Sequence, residues 1–216
     1  MGPEGIGYRP AGPGDAEAAV PLVYSSGPAA FDYVFDCGQA GGAQAFLAHA
    51  FRAGGGEFGW RNHEVAVVDD RVVAVGSAFD GRSVPGFTLA GALQIFSFFG
   101  PLRAWAVIVR GLRTESIIRP PPGSELYLCH LGVREELRGQ GIGRRLVEHL
   151  LGRLEPGRHR AATLDVAVTN PRAQALYERL GFTIEALRAS TLARRRGRVV
   201  DHRRMRRGLP GAGPES

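Results

Sequence analysis

The chain has 216 residues, of which 44% are hydrophobic and 22% charged. That size and balance suit a globular domain with its own core and exclude an intrinsically disordered chain. The formal net charge is +6, every basic residue is arginine and no lysine occurs, so a Walker-type phosphate loop, which needs a lysine, is excluded too.

In chain order, Asp15 to Ser26 reads as a first helix capped by Asp15, and Ala43 to Gly56 as a second helix ended by glycines. His63 to Phe79 holds two β-branched runs around Asp69-Asp70, the pattern of a hairpin. Ser83 to Gly123 follows, opening with an apolar, uncharged run up to Gly100. That run approaches the length of a membrane span, but Gly86, Gly91 and the Gly100-Pro101 break argue against one. The expectation is no transmembrane span and an inserted helical pair covering the domain, with a homodimer face or a membrane-surface contact as the remaining options. Glu125 to Val133 and Ala161 to Val168 read as buried strands, and Gly141 to Leu154 as a helix between them. Asn170, Pro171 and Gly181 frame a further helix as cap, first residue and stop. Two more strands, "TIEALRAS" and "VVDHRRMR", close the pattern. One mixed α/β domain over residues 1–216, with an insertion at about 83–123, accounts for all of it.

Cys37 and Cys129 have neither metal-ligand nor disulfide spacing, so no metal is expected. "MGPEGIGYRP" lacks the basic and apolar parts of a secretory signal, which points to the cytoplasm. Arginines cluster from Arg194 to Arg207. Nucleic acid is one partner for such a cluster; a solvated hairpin is the preferred reading, and no nucleic acid is expected.

The chemistry concentrates in "RGQGIGRRL", Arg138 to Leu146, between a strand and a helix. Free N–H groups of a helix's first turn and its dipole make an anion site there. Gly139, Gly141 and Gly143 let a phosphate approach the backbone, and Arg138, Arg144 and Arg145 supply charge. The glycines alternate, which is not the G-x-G-x-x-G of a dinucleotide fold.

"LGV" at Leu131 to Val133, followed by Arg138, Gly141 and Gly143, and then "VTNPRAQALYERLGF" downstream, resemble the GNAT superfamily of acyl-CoA-dependent N-acetyltransferases. The match covers Glu125 to Leu209 well, and the insertion at 83–123 departs from the family. The resemblance implies an α/β (α+β) fold: a mixed, mostly antiparallel twisted sheet, splayed at its central strands, with helices on both faces. It implies acetyl-CoA as acyl donor, its pyrophosphate on the backbone of Gly139, Gln140, Gly141, Ile142, Gly143 and Arg144. Its pantetheine arm would run along Leu131, Gly132 and Val133, near Asn170. Tyr177 would serve as the acid beside the sulfur.

The acceptor is then an unidentified amine: a small molecule, an amino sugar, or a protein N-terminus or lysine. Some relatives carry a glutamate base at the position of Tyr127. Glu125, two residues earlier on the same strand face, is the named candidate. His63, Glu64, Asp80 and His130 remain options; strict alternation puts His130 on the other face unless a bulge intervenes. The alternative is a non-catalytic acyl-CoA-binding regulatory module.

Overall fold

A computed structural model describes residues 5–194 and 197–209; Arg195 and Arg196 of the basic run and the N-terminal Met1 to Glu4 lie outside them. The described elements, in chain order, are β1 (Gly7–Pro10), α1 (Ala16–Ser25), α2 (Pro28–Phe35), α3 (Gly42–Ala53), β2 (His63–Val68), β3 (Arg71–Phe79), α4 (Val84–Thr114) and β4 (Glu125–Val133). There follow α5 (Ile142–Leu151), β5 (Ala161–Ala167), α6 (Pro171–Arg179), β6 (Thr183–Arg188), β7 (Ala193–Arg194), β8 (Gly197–Arg198) and β9 (His202–Gly208). Seven strands form one sheet in the order β1-β2-β3-β4-β5-β9-β6. Its pairings are antiparallel except β4 with β5.

Period-two alternation sends each strand's apolar residues to two cores. On one face Val65 and Val75 meet Val20 and Val23 of α1 and Phe46, Leu47 and Phe51 of α3. On the other, Leu126, Leu128, Leu164 and Met205 meet Ile142, Leu146 and Leu150 of α5 and Tyr177 of α6. Leu146 and Leu150 are fully buried, and each such side chain stabilises the fold by about 1.5–3 kcal/mol.

Two irregularities shape the middle of the sheet. The ladder between β4 and β5 covers only Glu125–Tyr127 against Ala161–Thr163. Beyond Tyr127 the strands part. On the other side of β4, Val75 pairs with Gly132 and Ser77 with Cys129. Three steps on β4 therefore oppose two on β3, a β-bulge. The extra residue is His130, held at φ 54°, a left-handed conformation that a non-glycine side chain adopts only when its surroundings enforce it.

The sequence reading needs amendment in several places. Asp15 does not cap α1 with its side chain. Its carboxylate takes both Nη atoms of Arg9, at 2.7 and 2.8 Å, and the Gly12 N–H at 2.8 Å. The strand β1 and the helix α2 escaped notice. The first is four residues long and ends in a proline, and the second is eight residues begun by Gly27-Pro28. The insertion is one helical run broken at Gly100 (φ 70°, ψ 166°), directly before Pro101. The break folds the two halves toward each other, for the Phe96 and Trp105 rings touch at 5.7 Å, whereas nine residues of straight helix span about 13.5 Å. One side packs on α2 and α3: Phe98 and Phe99 lie 5.7 and 5.4 Å from Phe46, and Gln94 donates to the Gly55 carbonyl at 2.8 Å.

The arginine-rich end is not simply solvated. Arg204 is buried and donates to Asp165 at 2.7 and 3.0 Å. Arg203 reaches Gln174, Arg206 reaches Glu125, and Arg194 reaches the Tyr33 and Asp36 carbonyls.

Candidate active site

The turn into α5 is built as an anion cradle. Gly139 and Gly141 have φ near 80°, and a Cβ at either would meet nothing within 4 Å, so the backbone is open to a ligand. No side chain caps the helix at Gly141, leaving the first-turn N–H groups of Ile142, Gly143 and Arg144 available. Gly143 lies against Val133 and Leu176, which joins the cradle to the end of β4. Arg138 donates from Nε to the Val133 carbonyl at 3.1 Å, Gln140 reaches the Glu136 carbonyl, and Arg144 pairs with Glu148 at 2.9 Å. A depression of about 640 Å³ runs from Arg144 along α5 to the end of α6, lined by Arg144, Glu148, Leu151, Arg179 and Arg207, among others.

From this cradle the unpaired edge of β4 runs back along Val133, Gly132 and Leu131 to the bulge. An extended arm fits an edge whose backbone groups lack a strand partner. Asn170 accepts from the Ala173 N–H at 3.1 Å and so caps α6 across the gap. Tyr177, on α6, is buried in the core beside Phe182. Burial pushes its pKa up to about 12, so it stays a proton donor.

The bulge turns Cys129 and His130 to the same side, where both approach Glu57 in the loop after α3. His130 Nε2 lies 3.5 Å from the Glu57 carboxylate. His130 Nδ1 is 3.0 Å from His63 Nε2, and His63 Nδ1 is 2.9 Å from the Gly59 carbonyl. A carbonyl only accepts, which fixes the tautomers: His63 Nδ1 carries a hydrogen, His130 Nδ1–H donates to His63, and His130 Nε2 is left as a lone pair facing Glu57. Burial lowers His63 to about 4, partly offset by the Gly59 carbonyl, and burial also holds His130 well below its usual value. Both imidazoles are neutral.

Glu57 keeps 41% of its side-chain surface accessible; loss of hydration, aided by the Glu115 charge, raises its pKa to about 7. The rings of Phe31 and Phe58 wall the His130 imidazole at 6.0 and 5.2 Å. Glu57, Cys129 and His130 place an oxygen, a sulfur and a nitrogen within 4.8 Å of one another, a spacing that the positions of the two cysteines along the chain do not reveal. Burial and the Glu57 charge push the Cys129 thiol well up; the trio offers S–H rather than thiolate and is suited to holding protons.

The other carboxylates considered from sequence are engaged elsewhere. Glu125 accepts from Arg206 at 3.1 Å, four residues and about 13 Å along the strand from Cys129. Asp80 takes Arg158 at 2.9 Å, and Glu64 takes His149 on the opposite side of the sheet, beside α5. Tyr127, at the position of the family's glutamate, donates to Asp165 at 3.0 Å. Sequence reasoning missed Glu57; a single acid after three glycines gives no periodic signal.

Comparison with known proteins agrees with this geometry. A family model described as "Acetyltransferase (GNAT) family" matches residues 44–182, more than half of the chain. The chain is 43% identical over 60 residues to a 5-NmdU N-acetyltransferase of Pseudomonas phage PaMx11, covering 28% of this chain and 41% of that protein. It is 39% identical over 64 residues to the ribosomal protein bS18-alanine N-acetyltransferase of Escherichia coli K12, covering 30% and 43%. It thus spans less than half the length of either relative. Among solved structures, an N-acetyltransferase from Staphylococcus aureus Mu50 superposes with a TM-score of 0.62 at 14% identity, covering 93% of this chain and 99% of that one. Salmonella typhimurium yncA, solved with its cofactor acetyl-CoA, superposes with a TM-score of 0.55 at 16% identity, covering 99% of each. The splayed sheet, the glycine cradle and the family match lead to one conclusion: this chain belongs to the GNAT family of acetyltransferases, whose fold uses acetyl-CoA.

Proposed function

We propose that the protein transfers an acetyl group from acetyl-CoA to a primary amine, with Glu57 as the proton acceptor. When bound, acetyl-CoA supplies a thioester carbonyl open to attack. The cradle from Gly139 to Arg144 would hold its diphosphate, and Leu131, Gly132 and Val133 its arm. The two relatives matched in sequence both carry names that place the acetyl group on nitrogen, which favours an amine acceptor here.

An alkylamine with a pKa near 10.4 costs about 4–5 kcal/mol to neutralise at pH 7. A base titrating near the working pH is best placed to take that proton. Glu57, raised to about 7, meets the requirement. His130 acts as a positioning residue: its Nε2 lone pair accepts from Glu57 once the carboxyl is protonated, and His63 with the Gly59 carbonyl fixes that tautomer. Backbone N–H groups at the end of β4 polarise the developing oxyanion. Tyr177 donates toward the departing sulfur.

The observation that carries this reading is an uncompensated carboxylate beside a bulged histidine at the open end of the central strand. The test is thiol release from acetyl-CoA across an amine panel, with the wild-type chain and Glu57→Gln. Turnover that survives unchanged in Glu57→Gln would remove Glu57 from the mechanism. Acetyl-CoA binding without turnover on any amine would restore the regulatory-module alternative.

A further inference from the structure

The inserted helix leaves an apolar surface that nothing in the fold covers. Leu102, Trp105, Val109 and Leu112 follow one another at intervals of three, four and three residues, which puts them on one side of the helix. They are 94%, 64%, 45% and 59% exposed. Leu89 and Leu93, likewise exposed, carry the surface across the Gly100 break, where Phe96 and Trp105 touch. Soluble surfaces rarely expose this much contiguous hydrocarbon without a partner. By length and composition this is the one helix among the described residues that passes as a membrane span, although only 17% of its most apolar stretch is buried in the fold.

We propose that this face of α4 rests on an anionic phospholipid surface, with the helix lying along the interface rather than crossing it. Charge selects this occupant. Between Asp80 and Glu115 the chain carries Arg82, Arg103, Arg110 and Arg113 and no acidic residue. Arg103 and Arg113 are exposed beside the apolar stripe. A depression of about 440 Å³ next to it is lined by Trp105, Val109, Arg110, Arg113 and Arg194, among others. Leucine and tryptophan on one side with arginines at the edge is the composition of a helix lying in the headgroup layer. A second copy is the poorer fit: a two-fold pairing of the stripe would bring Arg103 and Arg113 of one copy near the arginines of the other, with no carboxylate between residues 81 and 114 to balance them. The Gly100-Pro101 break and the three arginines after it likewise disfavour a straight span.

The experiment is flotation of the full chain with vesicles of phosphatidylcholine alone or with added phosphatidylglycerol, at low and high salt. The wild type should float with the anionic vesicles, less so at high salt, and stay behind with phosphatidylcholine alone. Leu102→Glu/Leu112→Glu should cut the bound fraction about tenfold or more, and Arg103→Ala/Arg113→Ala should weaken binding and flatten its salt dependence. Both pairs are exposed, so melting temperature and CoA binding should match the wild type and separate lost docking from lost fold. The proposal is overturned if the wild type does not float, or if the double-glutamate variant floats equally well. It is also overturned if sedimentation without lipid shows a dimer that this variant dissociates, which would make a second copy the occupant.

Discussion

Two carboxylates lie beside β4, and they are treated in opposite ways. On β5, two residues past its last ladder pair with β4, Asp165 sits under Arg204, with Arg188 at 3.8 Å and the Tyr127 hydroxyl donating to it. Glu57, against the bulge of β4, has neutral imidazoles, a thiol and aromatic rings beside it, and the nearby Glu115 charge opposes its ionisation. The first carboxylate is paired, hydrogen-bonded and chemically silent. The second has its proton affinity raised into the range where a base is useful. An arginine answers the acid at Asp165 and none of the described arginines pairs with Glu57, and the proposed base role rests on that difference.

The comparison can be broken first at Asp165. Arg204→Met leaves Asp165 buried and largely uncompensated and should cost about 3–5 kcal/mol in a denaturant melt. At the bulge, Glu57→Gln should lower kcat/KM by about 10²–10⁴-fold without disturbing the fold. The pH profile sharpens the point. The carboxylate is the active form, so wild-type kcat/KM should climb as pH rises through about 7, Glu57→Gln should lose that limb, and His130→Ala should move it to lower pH. A smaller effect comes from Gly132, where a Cβ would lie 2.3 Å from the Leu22 carbonyl oxygen. Gly132→Ala must push α1 off the sheet, at about 1–3 kcal/mol of stability by thermal melting. Tyr177→Phe removes one hydrogen bond to a leaving group and should slow turnover about tenfold. Last, Glu125→Gln should leave kcat within about twofold and cost at most ~1 kcal/mol, since its partly exposed pair with Arg206 is structural.

The turn and cap proposed to hold the cofactor were legible because their signals are local. The Arg138 to Gly143 turn, the Asn170 cap and the strand–helix order follow from neighbouring residues, and the structure builds the cradle and cap there. The proposed base depends on contacts far apart in the chain. Glu57 and His130 meet only because β4 bulges, and a bulge is set by the pairing of two strands rather than by any residue pattern. Glu125 drew attention by period-two alternation from Tyr127, which stays valid up to Cys129. The arginines of β9 looked like a solvated run because sequence does not show that β9 lies between β5 and β6, facing Asp165 and Glu125.

The bulge also makes the imidazole a detachable part. Leu126 and Leu128 before it, and Leu131 and Val133 after it, all point into the same core, so excising residue 130 alone would yield an ordinary pleat with every flanking side chain still in phase. A lineage could therefore lose the imidazole that faces Glu57 through one in-frame codon deletion while keeping a well-packed scaffold. On the proposed mechanism, an enzyme and a silent acyl-CoA sensor on this fold would then differ by one residue's length.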